Sequence, residues 1–559
     1  MAHRFFPLFV LMVAGLTVAV PSAAQHHHAD DRPLAEDPRL AEGQIAPVLQ
    51  GLGDHHHPIT AKTLETQQFF DQGLKLTYGF NHREALRAFK EAARRDSDAA
   101  MAYWGWALVL GPNLNLPMAP EAAAQALEAI EMAVERGPQV SQKERDYIEA
   151  LATRYAADGD RAELDQAYAE AMHRLHEKYP KDTDAATLYA AALMNLSPWN
   201  YWTRDRQARE RTDEILATLE AVLAADPEHE GALHYYIHAI EPVDAERGVW
   251  AADQLRGLAP GAGHLVHMPS HIYMQVGRYA DAFEDNAKAA EADEEYITQC
   301  RAQGIYPLNY YPHNVHFQAW AAMVQGRSEA ALATARKVAA GVPDDHGGND
   351  WGLFQTFQSM PLYAMVRFGM WQEILAEPKP EADLRLLAGM WHYARGLALV
   401  HTGQRGKAKK ELRALGAVRR DAATAETYIG FTNAGRLLEI AWEVLAGEIA
   451  AKGKRWDSAL GHLERAVRLE DSMLYNEPPD WYAPTRHFLG AVLLEAGRPD
   501  EAEVVYWRDL EEQRDNGFAL YGLWQSLAAQ GRHEEALAAR QRFDLAWADA
   551  DVSLTSSRF

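Results

Sequence analysis

One spacing recurs along the 559 residues and limits the chain to a single kind of architecture. Gly73, Ala85, Phe89 and Ala92 reappear as Gly447, Ala459, Leu463 and Ala466 with the same internal distances. Gly396 with Ala408, Leu412 and Leu415 is another copy, as is Gly490 with Ala502, Tyr506 and Asp509. Ser270 with Ala282, Asn286 and Ala289, and Ala319 with Ala331, Ala335 and Val338, complete six registers, the last closing at Pro343. Small residues held at fixed offsets mark places where helices touch. Gly277, Gly326, Gly403 and Gly497 sit at one offset within their units, where a left-handed residue ends a first helix, and Gly453 lies one residue earlier in its own. A single hydrophobic core stops growing near ~250–300 residues. A repeat array accommodates the greater length without a larger core.

These registers resemble the tetratricopeptide signature, a helix–turn–helix unit of ~34 residues. The resemblance covers most of residues 64–548 and implies an all-α fold, a right-handed α-solenoid of about 10–12 repeats. Segments such as HMPSHIYMQVGRY (267–279) and YPHNVHF (311–317) resemble exported bacterial tetratricopeptide-repeat proteins of unassigned activity. Residues 63–262 read as N-terminal repeats, degenerate from about 140, with a loop inserted at 111–120. Residues 263–548 read as C-terminal repeats and 549–559 as a tail.

The amino terminus reads as an export signal. Arg4 supplies the positive start, Phe5 to Val20 is nearly all apolar, and Pro21-Ser22-Ala23-Ala24 offers a small-residue cleavage pattern, giving a signal peptide over 1–24. Periplasmic or secreted location is the expectation, with no membrane span after cleavage. Residues 25–62 carry two histidine runs, His26–His28 and His55–His57, several prolines and glycines, and no apolar period, which predicts a disordered linker. One cysteine, Cys300, leaves stability to packing. A net charge of −24 excludes nucleic acid and anionic lipid as principal partners, because both need a basic face. It favours a cationic protein, peptide or small-molecule ligand.

Histidine placement departs from an ordinary repeat. With Ser270 as the small reference residue, positions six and three before it and one and four after it lie within ~80° on a helix. The resemblance implies that this stripe lines the concave groove. It holds His264, His267, His271 and Met274; relative to Ala319 it holds His313, His316, Trp320 and Met323. In the preceding unit, with Ile237 as reference, it holds Gly231, His234, His238 and Glu241, and His487 occupies the equivalent place before Gly490. His234/His238 and His267/His271 are four apart, a spacing at which two imidazoles converge on one ion. Candidate metal ligands are therefore His234, His238, Glu241, His264, His267, His271, His313 and His316, for zinc, copper or iron. Trp320, Met274, Met323, Tyr273 and His487 are candidate ligand-binding residues.

Three readings of these residues stand open: a groove that binds a ligand through or without a metal, a metal-dependent enzyme, and a protein–protein scaffold with structural histidines bonded to Tyr235, Tyr236, Tyr273 or Asn314. The helix His234-Tyr-Tyr-Ile-His238 lacks the glutamate of metalloprotease helices, so hydrolysis has no support. Asn81, His82, Asn113 and Asn115 read as helix caps.

Overall fold

Phe89 shows why the recurring glycines are glycines. Its ring lies where a Cβ on Gly73 or on Gly105 would fall, 2.7 and 2.3 Å from the nearest ring atom. Tyr506 sits in the same way between Gly490 and Gly522, where the distances would be 2.4 and 2.1 Å. These two units thus clamp the aromatic ring of the second helix between two glycine-faced first helices. Filling that gap forces side chains out of their rotamers. Gly522→Ala is expected to cost about 1–3 kcal/mol, read as a lower denaturant midpoint; an unchanged midpoint would show that the rings have room to move.

The structure, a computed structural model, describes residues 43–300, 306–343 and 352–558. The signal-peptide reading and His26–His28 lie outside the described residues. Among those described, helices account for nearly all regular structure. The exceptions are the two-residue strands Tyr428–Ile429 and Thr432–Asn433 and one bridge, Trp202 to Ala208. Each helix packs on its sequence neighbours, from Leu64–Tyr78 against His82–Arg95 to Gly517–Ala529 against His533–Ala546. The chain is an all-α solenoid. The stretch from 140 to 262 loses the signature residues but keeps the helices, including Arg161–Lys178, Thr183–Leu196 and Thr212–Ala225. No described helix is long and apolar enough to cross a membrane.

Turn chemistry follows the register. Gly277, Gly326, Gly403 and Gly497 all have φ between 74° and 83°. Where the glycine is displaced to position 453, Lys454 itself takes the left-handed conformation, with φ 54°.

Three features differ from the sequence reading. First, the described part of the expected linker, 43–62, is a strap fixed to the repeats by side chains. Backbone N–H groups of Ile45, Leu49, Ile59, Thr60 and Lys62 donate to Glu91, Gln72, Gln67, Glu144 and Asp96. Acceptors borrowed from other helices leave no periodicity in the strap's own sequence. Second, the inserted loop docks inward, with Asn115 Nδ2 donating to Tyr310 Oη at 3.0 Å and Asn113 Nδ2 3.0 Å from His82 Nδ1. Asn81 precedes a helix without capping it through its side chain, and its Oδ1 accepts from Tyr296. Third, distant parts of the solenoid touch. Leu265 packs at Gly79, Gln275 bonds Glu477, Tyr279 Oη donates to the Arg514 carbonyl, and Asp551 accepts from the first N–H groups of the helix Ser328–Ala340. In keeping with these contacts, His234, His238, Glu241, His264, His267 and His271 are buried and His313 is half-buried, so the stripe lies inside the fold rather than along an open groove.

Candidate metal centre

Three consecutive first helices carry the histidines. His234 and His238 lie on Glu230–Ile240, and His264 and His267 on Gly263–His267. After a break at Pro269, which has no N–H to continue the ladder, His271 follows on Pro269–Gln275. His313 begins the helix Tyr311–Val324 directly after a π-helical turn, Tyr306–Tyr310, a distortion common at functional sites. The Tyr310 ring lies 5.0 Å from that of His264, and the Tyr306 hydroxyl accepts from the His264 N–H while donating to Asp293.

Six of the eight candidate ligands assemble into two triads. His234, His238 and His264 form one and His267, His271 and His313 the other, each with one ligand atom per residue lying within 4.8 Å of the others. His234 Nε2 is 3.2 Å from His264 Nε2, and His267 Nε2 is 2.9 Å from His271 Nε2. Two nitrogens bound to one ion at ~2.0–2.1 Å and separated by ~90–105° stand about 2.9–3.3 Å apart. Both contacts fall in that range. His238 is 3 % exposed, and neither ring nitrogen makes a hydrogen bond, though Glu241 Oε2 stands 3.5 Å from Nδ1. It is stacked on Phe80 at 6.0 Å and edge-on to Trp199 at 5.0 Å, and both of those residues hold left-handed backbones, φ 55° and 59°. An unpartnered buried imidazole and two strained walls are each costly, and such costs collect at functional sites.

Tautomers can be argued from the outer partners. Asn286 Nδ2 donates to the Ala282 carbonyl, so its Oδ1 faces His267 Nδ1 at 2.7 Å and accepts that ring's proton. His234 Nδ1 donates to the Tyr78 carbonyl at 2.5 Å. His271 Nδ1 lies 2.8 Å from Glu477 Oε2 and 3.2 Å from Glu241 Oε2. Carboxylates there demand the proton on Nδ1. Protons on the outer nitrogens leave Nε2 of His234, His267 and His271 with lone pairs pointing inward, the usual arrangement around a bound metal. Two lone pairs cannot face each other at 2.9 Å without a cation between them, either a proton or a metal ion.

Burial pushes His234, His238, His264, His267 and His313 well below the ordinary histidine range, and neighbouring imidazoles push them further. Neutral rings are the metal-binding form. Burial lowers His271 as well, but Glu241 and then Glu477 outweigh it and raise it to about 10. Positive charge is therefore favoured at the second triad. Burial raises both carboxyl groups, and His271 opposes that rise.

Of the remaining candidates, Glu241 stays beside the triads, its Oε2 3.2 Å from His271 Nδ1 and 3.5 Å from His238 Nδ1, and with His271 and Glu477 it forms a further group close enough to share an ion; the others fall elsewhere. His316 packs edge-on to Phe357, and burial lowers it to about 3. His487 forms a separate buried group, with Nε2 2.9 Å from Asp509 and Nδ1 3.0 Å from Arg367. Tyr273 donates to Asp253, Trp320 packs on Phe317, and Met274 and Met323 are core residues. Nor do the expected polar partners reach the triads: Tyr236 bonds Glu220, and Asn314 bonds Asp293. A surface cleft of about 540 Å³ lies between the strap and the helix Leu64–Tyr78, away from the triads.

Glu477 and Phe80 were missed from sequence, as was a second polar group at the strap. Asp184 accepts from Tyr78 Oη at 2.6 Å and lies 2.9, 2.7 and 3.4 Å from ring nitrogens of His55, His57 and His229. His229 Nδ1 accepts the Ala232 N–H, so its Nε2 carries the proton toward Asp184. This group is a buckle: it pins the strap, and through Tyr78 it meets the carbonyl that orients His234.

No protein-family model matches the chain, and no curated protein matches it. Solved structures similar to it include a human IFIT1 dimer with m7Gppp-AAAA, at 14% identity over 88% of this chain and 92% of that one, TM-score 0.29. The TPR domain of P58(IPK) matches at 12% over 84% and 99%, TM-score 0.23. Yeast Tom70 matches at 10% over 86% and 91%, TM-score 0.27. The fold assignment rests on the chain's own helices and registers.

Proposed function

We propose that this is a metalloprotein of helical-repeat build, which holds a transition metal on the enclosed histidines and binds a protein, peptide or small-molecule ligand on the solenoid around them. The observation that carries the metal reading is the pair of short Nε2–Nε2 contacts, 3.2 and 2.9 Å, in triads where Nδ1 of His234 and His267 is already engaged and Nδ1 of His238, His264 and His271 is buried without a hydrogen bond. An all-imidazole donor set suits copper, zinc or iron. Outer acceptors supplied by Asn286, Tyr78 and the Glu241–Glu477 pair would fix ring orientation. Export is part of the same proposal: it is supported by the Met1–Ala24 sequence. In the periplasm or outside the cell a deeply enclosed site retains an ion that an exposed one would exchange.

The test is elemental analysis of untagged protein in which His26–His28 are replaced by alanine, so that this run contributes no metal. His55–His57 are left in place because they pin the strap. At least one equivalent of copper, zinc or iron per chain is expected, falling to background in the double variant His238→Ala/His271→Ala. Metal-free protein after growth in replete medium, or content unchanged in the double variant, contradicts the reading.

A further inference from the structure

Building on the metal reading above, we infer that the two triads hold two copper ions as an adjacent pair, one on His234, His238 and His264 and one on His267, His271 and His313. Each triad has its own short nitrogen–nitrogen contact, at the spacing two ligands of one ion would take, so each offers a place for its own ion. The triads are adjacent. His264 and His267 are three residues apart on one short helix with ring centroids 5.7 Å apart, and the rings of His238 and His271 meet edge to face at 5.4 Å.

The donors are six imidazoles. Glu241 and Glu477 stand beside Nδ1 of His271, the outer nitrogen, where they orient the ring and balance cationic charge. With three imidazoles per ion and no thiolate, copper is the divalent ion that such donors hold most tightly. Each triad also packs on a phenyl ring. Phe80 lies within 4.4–6.0 Å of the rings of the first, and Phe317 within 4.7–4.9 Å of the rings of the second. Three ligands leave an open position on each ion, and the open positions of neighbouring ions suit a small bridging ligand such as hydroxide.

The experiment titrates metal-free full-length protein, with His26–His28 replaced by alanine, with cupric ion after confirming its helicity. Two tightly bound equivalents are expected, with cupric paramagnetic resonance accounting for only a small fraction of the bound copper because the two spins couple. His264→Ala and His313→Ala should each bind one copper, and that copper should show its full resonance intensity. Two equivalents with full, uncoupled intensity overturn the pair. A single equivalent in the wild-type chain overturns it while leaving a mononuclear centre intact, and no binding overturns both readings. Native protein carrying two zinc ions and no copper overturns the copper assignment. If one variant fails to fold, wild-type stoichiometry and spin count still decide.

Discussion

In protein stripped of metal by chelation, His238→Phe is expected to unfold no earlier than the wild type, and to be more stable by about 1–3 kcal/mol. The same substitution removes the first triad's share of the stabilisation that metal gives the wild-type chain, about 4 kcal/mol at a free ion concentration a thousandfold above Kd. Opposite signs in the two conditions distinguish a ligand from a structural residue. His238 is buried with neither nitrogen bonded, between Phe80 and Trp199, so a phenyl ring fits its surroundings better than an imidazole does when no ion is present. Denaturant titration with and without chelator measures both effects. A His238→Phe protein that is destabilised in chelator, or that keeps the metal-dependent shift undiminished, shows that the imidazole serves packing alone.

A second large effect is expected at the strap. Asp184→Asn should loosen the strap around His55–His57, costing about 3–5 kcal/mol of local stability because buried donors lose their charged acceptor. Hydrogen exchange across the strap reads this directly. The pH dependence has a definite sign. Burial opposes ionisation of Asp184, but hydrogen bonds from His229, His55 and His57 hold its carboxyl well below the usual range. Its contribution is present above that usual range and is lost only in strong acid. Burial lowers His55, yet the Asp184 hydrogen bond and charge raise it above the ordinary value. Its contribution is complete below about pH 6.5 and is lost as pH rises through the raised value. Strap protection is therefore greatest in mildly acidic solution and declines on the alkaline side. In Asp184→Asn that decline should be absent. A wild-type strap that tightens above neutrality contradicts the buckle.

The fold was legible because its signal is local and repeated. Gly73, Phe89 and their copies state where helices touch, and turn glycines state where they end; even Lys454 obeys the register once its glycine is displaced. The stripe was legible for the same reason, since helix geometry alone places His264, His267 and His271 together. It could not say which edge of the stripe faces inward on the third helix, where His313 joins the triad and His316 turns to Phe357. Curvature was not legible either. An open groove and a closed interior have the same repeats, and the contacts that distinguish them, such as Gln275 with Glu477, join residues about 200 positions apart. Asp184 and Glu477 carry no local mark, because their partners come from other elements. The strap has no period because its backbone is satisfied by side chains of other helices.

Anomalous diffraction from crystals of the native, untagged protein, recorded on both sides of the copper, zinc and iron edges, tests the central claim most directly. The account predicts an anomalous peak at about 2.0–2.1 Å from both members of a facing Nε2 pair, His234 with His264 or His267 with His271. Crystals of protein purified without chelator that show no peak among these rings, with their nitrogens bonded to one another or to water, would contradict it.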